Sequence, residues 1–310
     1  MRTMPRISVV IPTYNRIELL PRAIESAQSA GTEVEVVVVD DASTDGTEEY
    51  CRSLEHIKYV RLNKNHRTAG ARNAGIEAST APFIAFLDDD DIRLEGSLDK
   101  QICLFESDPN CGLVYGQFLP ADQEGNPMQT PPQPEVCIEG DIFWDLLESN
   151  RFGCLTVVVK RETLDQVGHF DTGDEFTGIE DYDLWIRIAE RFTIRSLCEP
   201  VGIYRVPTSS SGQWSSNETR QYLSIAHGFI SKWMRLGRFK ERYGDDIDLE
   251  RKRYLRNVSE RIIHDMAYRT PERRRRLGKL FSAVKVSPSR LLEPAFYKTI
   301  AMTLIRRTRV

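Results

Sequence analysis

Apolar and polar positions along the first 120 residues alternate between two periods. Ile7–Ile11 is a β-branched run that Pro12 ends, and Leu19, Leu20, Ala23, Ile24 and Ala27 then recur at helical spacing. Val34–Val39 is a valine run interrupted only by Glu35, the pattern of a strand covered on both faces. The polar segment DDASTDGT (Asp40–Thr47) leads to a short helix around Glu48–Leu54, a third strand at Tyr59–Leu62 and a helix at Ala69–Ala78. A fourth strand, Phe83–Leu87, runs directly into Asp88–Asp91. Strands alternating with helices predict an α/β fold with a mostly parallel sheet, which holds ligands beyond the carboxyl ends of its strands. Pro120–Pro134, rich in Pro, Gln and Gly, reads as a loop, and Thr156–Lys160 as a short strand. Asp181–Arg191 reads as an amphipathic helix with Leu184, Trp185, Ile188, Ala189 and Phe192 on one face. Thr208–Asn217 is loop-like, and from Glu218 the pattern is helical and increasingly basic. There is no internal repeat. The expected organisation is one domain over residues 1–215 and a basic helical region over residues 216–310.

Composition narrows the class. The chain has 310 residues, room for one large domain or two ordinary ones. A chain of that length buries about three quarters of its unfolded surface and needs no disulfide or metal staple. With 40% hydrophobic and 28% charged residues it is globular rather than disordered. No apolar run approaches the roughly 20 residues of a membrane span. The N-terminal MRTMPRISVVIPTYNR lacks the apolar length and cleavage site of a signal peptide, so the expected location is cytoplasmic. The cysteines Cys51, Cys103, Cys111, Cys137, Cys154 and Cys198 are scattered with no C-x-x-C pair. That excludes a sequence-readable zinc site and reads as buried, reduced thiols. Charge is divided unevenly: residues 1–250 carry 25 Lys and Arg against 42 Asp and Glu, whereas residues 251–310 carry 17 against 4. The basic end therefore calls for an anionic partner.

The candidate chemistry is carboxylate. Asp40-Asp41 follows one strand, Asp88–Asp91 follows another, and Glu180-Asp181 opens a helix. Acids packed together repel unless a cation or a donor offsets them, and oxygen-only ligands select Mg2+ or Mn2+, ions usually shared with substrate phosphates. Asp41-x-Ser43-x-Asp45-Gly46 resembles the start of a calcium loop, but its twelfth position is Arg52 where a bidentate Glu is required. Neither G-x-G-x-x-G after the first strand nor G-x-x-x-x-G-K-[ST] is present; Pro12-Thr13-Tyr14-Asn15-Arg16 stands at the glycine-loop position.

SVVIPTYNR (Ser8–Arg16), VVVDDASTDGT (Val37–Thr47), AGARNAGI (Ala69–Ile76), FIAFLDDDD (Phe83–Asp91) and GIEDYDLWIRI (Gly178–Ile188) occur in the order and spacing of family 2 glycosyltransferases. VVVKRETLDQVGHFD (Val157–Asp171) resembles the family's link between metal motif and catalytic helix. The resemblance covers roughly residues 6–206 and implies the GT-A fold, an α/β architecture in which helices flank a mostly parallel sheet, with residues 216–310 as a helical extension.

The resemblance implies roles position by position. Tyr14 matches the aromatic residue that packs on the donor's base, its alternative being a loop aromatic over the sheet edge. Pro12 and Thr13 would line that pocket through their backbone. Asp41 matches the carboxylate that hydrogen-bonds uracil in uridine-dependent members, and Asp40 supports the turn. Arg67 stands where the family often places a basic group near the nucleotide; otherwise it is a solvated helix-leading charge. Arg72 and Asn73 brace the loops. Asp88 and Asp90 match the metal motif, Asp90 as the more direct ligand, with Asp89 at the ribose or beside the metal and Asp91 holding the loop; four consecutive acids leave that register open by one. Asp181 matches the catalytic base, at a helix start whose positive end favours the ionised form, its alternative being a helix cap. Glu180 would position the acceptor or orient Asp181. The family's metal-binding His after a Tyr-Arg pair is missing, since Tyr204-Arg205 is followed by no His through Asn217. The Q-x-x-R-W signature of polymerising members is also missing, so single addition is expected.

These readings together imply an inverting, metal-dependent glycosyltransferase that transfers one sugar from a nucleotide-sugar donor, a UDP-sugar for preference, to a hydroxyl of a sugar or lipid-linked glycan. The competing classes are a nucleotidyltransferase, which should carry a glycine-rich basic loop after its first strand, and a non-catalytic binding protein, which would not need Asp88, Asp90 and Asp181 together. For the basic end, Leu291, Leu292, Phe296, Ile300 and Leu304 fall along one helical face followed by Arg306, Arg307 and Arg309. That suits a peripheral contact with the inner face of an anionic membrane. Packing against the acidic domain, in the same molecule or a homodimer, is the alternative, and no nucleic-acid motif accompanies the charge.

Overall fold

The computed structural model describes residues 4–206, 218–268, 273–288, 291 and 296. The chain runs through β1 (Ile7–Thr13), α1 (Leu20–Ser29), β2 (Val34–Asp40), α2 (Thr47–Arg52), β3 (Lys58–Arg61), α3 (Arg67–Ala78), β4 (Phe83–Phe86) and β5 (Ile92–Arg93). It continues with α4 (Ser97–Glu106), β6 (Cys111–Ala121), α5 (Phe143–Glu148), β7 (Val157–Lys160), α6 (Arg161–Val167), α7 (Glu180–Ala189) and β8 (Thr193–Arg205). Among the described residues the strands form one sheet in the order β3-β2-β1-β4-β7-β6-β8-β5. β3, β2, β1 and β4 are parallel, which puts the ends of β1, β2 and β4 on one edge. β7 lies antiparallel to both β4 and β6, and β6 and β8 are again parallel.

Side-chain alternation sorts β1 between two layers. Ile7, Val9 and Ile11 share a core with Leu20, Ala23 and Ile24 of α1 and Leu98 and Ile102 of α4. Val10 faces α3, where a Cβ on Gly75 would lie 2.2 Å from Val10 Cγ1. Only glycine lets α3 come this close. β1 does not end at Pro12: it pairs with β2 as far as Thr13. The Val10 carbonyl accepts from the Leu87 amide on the β4 side. Pro12, two residues on, has its missing N–H on that same side, beyond the last β4 pair, so no ladder bond is lost. The long strands β6 and β8 are not marked by any clean period, because β6 carries Gly112 and Gly116 and the pair shifts register along its length. Gly116 is required there, since its Cβ would stand 2.4 Å from Val201.

Cys137 and Cys198 form a disulfide, which corrects the expectation of six reduced thiols. The cause is tertiary: Gly140 bridges Ile194 and Arg195 pairs with Glu139 at 3.0 Å, so the loop after β6 returns alongside β8. Cys51, Cys111 and Cys154 are buried free thiols, whereas Cys103 is exposed.

The chain divides into two compact units, one comprising Met1–Thr172 and Glu180–Thr208, the other Gly173–Ile179 and Ser209–Val310. The second unit holds α8 (Glu218–Ser231), α9 (Gly237–Tyr243), α10 (Ile247–Tyr268) and α11 (Arg273–Val286). Its core includes Ala226, Val258, Ile262, Ile263, Ala283 and Phe296. Phe296 was expected on an outward apolar face; it is buried instead, because this unit has a core of its own to fill, while Leu291 is exposed. Leu292, Ile300, Leu304, Arg306, Arg307 and Arg309 lie outside the described residues, as does the loop Thr208–Asn217. No described helix is long and apolar enough to cross a membrane.

Candidate active site

The site is built on the shared edge of β1, β2 and β4. After Thr13 the chain turns through Asn15 in the left-handed region (φ 54°), a conformation Asn tolerates. The Asn15 amide donates to Ser43 Oγ at 2.9 Å, and the Thr44 amide donates to Asn15 Oδ1 at 2.7 Å. This turn leaves Tyr14 47% exposed at the strand end. Asp40 is fully buried and accepts from the Ser43 amide (2.7 Å), the Tyr59 hydroxyl (2.7 Å) and the Arg61 guanidinium. Burial alone would raise its pKa, but these bonds hold it below the usual carboxylate range. It supports the turn. Asp41 accepts from the amides of His66, at 2.6 Å, and Arg67, at the start of α3; burial nevertheless pushes its carboxyl up. Arg67 sits at φ 61° with its side chain exposed and gives Asp41 its backbone amide.

The acidic run after β4 is shared among three arginines. Asp89 is buried, accepts from the Thr13 hydroxyl at 2.8 Å and pairs with Arg16 Nη1 at 2.9 Å. The same nitrogen lies 2.9 Å from Asp90 Oδ2. Burial, with Asp90 adding to it, pushes the Asp89 carboxyl up to about 6. Thr13 thus contributes its hydroxyl, since its backbone carbonyl is taken by the Asp41 amide at 2.9 Å, and Pro12 is buried in the β1–β2 ladder. Asp91 is buried and accepts from the Arg205 amide at 2.9 Å, while Arg205 Nε donates to the Asp90 carbonyl at 3.1 Å. Burial and its acidic neighbours raise Asp91 well above the carboxylate range. Arg16 and Arg205 are given no role by the sequence; the available signal was their place in two motifs, Arg16 closing Pro12–Arg16 at the glycine-loop position and Arg205 in the Tyr204-Arg205 pair.

Arg72 joins the two acidic motifs. It is buried on α3, donates from Nη2 to Asp88 Oδ1 at 2.6 Å and from Nη1 to Glu180 Oε1 at 3.3 Å, and lies 5.5 Å from the Phe170 ring centroid. Burial opposes its charge, but Asp88 foremost, with Glu180 and Asp181, keeps it protonated. Asn73 next to it braces the loop, exchanging hydrogen bonds with the Phe170 backbone at 2.9 and 3.0 Å. Asp181 accepts from the Tyr182 amide at 2.6 Å. Its carboxyl is pushed up to about 7 by burial and then by Glu180, with Arg72 opposing. This corrects the expectation that the helix start would favour its ionised form: desolvation and a like charge outweigh the dipole. The buried Cys154 thiol belongs to the same electrostatic cluster, its pKa raised well above normal by burial.

Among the described residues, no three His, Cys, Asp or Glu side chains group closely enough to hold a metal by themselves. The donor set that remains is two hard carboxylates, Asp88 (side chain 36% exposed) and Asp90, each paired with an arginine. Such a set fits an ion shared with substrate phosphates and water, not one enclosed by protein.

The family model described as Glycosyl transferase family 2 matches residues 8–164. A Bacillus subtilis glycosyltransferase named for teichuronic acid biosynthesis, TuaG, is 29% identical over 220 residues, covering 68% of this chain and 84% of TuaG. The structure of S. aureus TarS 1-349 in complex with UDP-GlcNAc aligns with a TM-score of 0.59 at 18% identity, over 96% of this chain and 88% of that one. The mannosyltransferase PcManGT from Pyrobaculum calidifontis, in complex with GDP-Man and Mn2+, aligns with a TM-score of 0.57 at 19% identity, over 97% and 84%. At these identities the two structures establish the fold, which is GT-A. Matched from β1 into α6 by the family's own sequence pattern and folded as these neighbours are, the chain belongs to the family 2 glycosyltransferases.

Proposed function

We propose that this glycosyltransferase moves one sugar from a nucleotide-diphosphate sugar to an acceptor hydroxyl with inversion at the anomeric carbon. The observation that carries the reading is the Arg72 bridge. One buried guanidinium spans Asp88, in the cluster suited to a diphosphate, and Glu180, beside the carboxylate suited to proton removal. The nucleotide lies over the exposed Tyr14 ring, within reach of Asp41, Thr13, Asp89 and Pro12, with Arg67 at the rim. Uracil is the favoured base, supported by Asp41 and by the UDP-GlcNAc complex of TarS. Asp88 and Asp90 would hold Mg2+ or Mn2+, which when bound supplies electrostatic stabilisation of the diphosphate leaving group. Asp181, near neutral pKa, takes the acceptor proton as the acceptor oxygen attacks from the face opposite the diphosphate, and Glu180 fixes its position. A single displacement inverts the configuration. A cell-envelope glycan is the acceptor class, supported by the likeness to TuaG. The net positive residues 251–310 suit a peripheral contact with anionic lipid near such an acceptor.

Thermal stabilisation by UDP, GDP, CDP and their sugars, with and without Mn2+, tests the reading. UDP should stabilise the parent only with Mn2+, and Asp90→Ala should abolish that linkage. Absence of stabilisation by every nucleotide with the cation present would refute it.

A further inference from the structure

Arginine fastens α6 at both of its ends. At its start Arg161 reaches the C-terminal end of α3: Nη1 donates to the Ile76 carbonyl at 3.2 Å, Nε to the Ala81 carbonyl at 2.9 Å and Nη2 to Ser79 Oγ at 2.7 Å. At its other end Gly168 turns the chain at φ 82°, and its amide closes the helix on the Leu164 carbonyl at 2.8 Å. A helix end leaves its last carbonyls without intrahelical donors. Arg187, on α7, supplies them. Its Nη1 donates to the carbonyls of Val167 at 2.7 Å and Gly168 at 3.2 Å, and its Nη2 to that of His169 at 2.7 Å. Its Nε donates to Asp183 Oδ2 at 2.9 Å, one turn earlier on α7, and the Asp183 side chain is fully buried. Every nitrogen of the guanidinium is therefore used. Beyond His169, Phe170 exchanges hydrogen bonds with Asn73, the residue after Arg72. Its ring meets Phe86 of β4 and Trp185 of α7 edge-on, with centroids 5.0 and 6.3 Å apart. The turn at residues 167–170 thus couples α7 to the helix that carries Arg72.

We propose that Arg187 is a positioning residue: by gripping the turn after α6 it fixes the slide and rotation of α7, and so where Asp181 stands relative to Arg72. The inference rests on Asp181 being the base. The elements involved, α3, α6 and α7, all lie in one compact unit. Asp181 precedes Arg187 by about 9 Å along the helix axis, so Arg187 acts on the reaction only through where it holds the helix. An isolated Asp183–Arg187 pair would need only a charge. A row of backbone carbonyls calls for the planar fork of an arginine, which a lysine ammonium does not reproduce. A displacement of about 1 Å at a reacting group can cost on the order of a hundredfold in rate. None of the residues assigned above to the donor or the cation lies on α6 or α7, so the predicted signature is a loss in kcat without a loss in donor affinity.

The test uses the full chain with UDP-GlcNAc and Mn2+. It reads UDP release with water as the acceptor, UDP affinity by calorimetry, and hydrogen exchange over residues 180–189 against β1 and β2. Arg187→Lys, which keeps the charge beside Asp183, should lower kcat by roughly tenfold or more, with KM and UDP affinity within about twofold. Exchange should accelerate over residues 180–189 and stay at the parental rate in β1 and β2. The decisive arm is the cycle with Asp181→Asn. A residue that acts through Asp181 loses its effect once that carboxylate is gone, so Arg187→Lys should change the residual rate of Asp181→Asn by under about twofold. Additive losses would overturn the proposal, and so would parental kcat in Arg187→Lys. A loss of UDP affinity that matches the loss in kcat would overturn it too, as the mark of a residue that only stabilises the fold. If Arg187→Lys does not fold, Asp183→Leu combined with Arg187→Met replaces the buried pair by apolar side chains, and the exposed Gly168 lets water reach the freed carbonyls. The same readouts and outcomes then apply. Asp181→Asn at the parental rate would refute Asp181 as the base, and absence of UDP release by the parent would count against the proposed donor. In either case acceleration confined to residues 180–189 upholds the placing of α7 by Arg187, and parental exchange there overturns it.

Discussion

Replacing Arg72 with Met, apolar and of similar reach, isolates the bridge between the acidic motifs. The side chains of Arg72 and Glu180 are 4% and 11% exposed, so the substitution leaves a buried carboxylate beside Asp181 with its cation gone. Breaking a buried pair in this way costs about 3–5 kcal/mol. The Asp88 contact, whose carboxylate is a third exposed, adds at most about 1 kcal/mol after solvent screening. At roughly 2–4 °C per kcal/mol for a unit of this size, Tm should fall by about 10 °C at neutral pH. The pH dependence fixes the sign. Asp181 already has its pKa raised to about 7 by burial and Glu180, with Arg72 opposing, and removing Arg72 raises it further. A carboxyl raised above its unfolded value destabilises the fold where it must ionise, so the deficit should be greatest at pH 8.5 and shrink toward pH 5. Thermal unfolding of both proteins at pH 5, 7 and 8.5 measures this. A fall of under 2 °C, or an equal fall at every pH, would refute the argument.

Asp181→Asn should cut transfer by about 10²-fold or more while UDP affinity stays within twofold, and a variant at the parental rate would remove Asp181 from the mechanism. In the parent, the base form accumulates as pH rises through about 7, so kcat should climb from pH 5.5 and level above neutrality; a flat profile contradicts the assignment. Gly75→Ala puts a Cβ 2.2 Å from Val10 Cγ1 and 3.1 Å from Val39 Cγ2, which should cost about 1–3 kcal/mol in urea unfolding, partly recovered by Val10→Ala. Asp40→Asn weakens the part-buried bond from the Tyr59 hydroxyl and should cost about 2 kcal/mol at pH 7. Because the folded pKa of Asp40 is lowered, that contribution is present above its unfolded value and vanishes as pH falls through the folded one, so parent and variant should converge below about pH 4.

Local patterning was enough for the parallel half of the sheet and for the places where its carboxylates fall. The β-branched runs of β1 and β2, the helical spacing of α1 and the apolar face of α7 are statements about neighbours three or four residues apart, and the folded chain keeps them. Each acidic pair directly after a strand pattern lies at that strand's end because chain continuity demands it. β6 and β8 were hidden because their pairing shifts register and depends on glycines that admit Val201, a condition set by the partner strand.

The α/β class, the family and the acidic motifs are legible in consecutive residues. Which cation each carboxylate meets is not, because the partners come from distant parts of the chain. Arg72 reaches Asp88 across 16 residues and Glu180 across 108, and Arg16 reaches Asp89 across 73. The same holds for the Cys137–Cys198 bond across 61 residues, for the burial of Phe296, and for the near-neutral pKa of Asp181. Periodicity is a property of consecutive residues and survives without knowledge of the fold. Desolvation and long-range charge pairing depend on what the rest of the chain brings over a group, and a carboxylate's proton affinity is set by that cover.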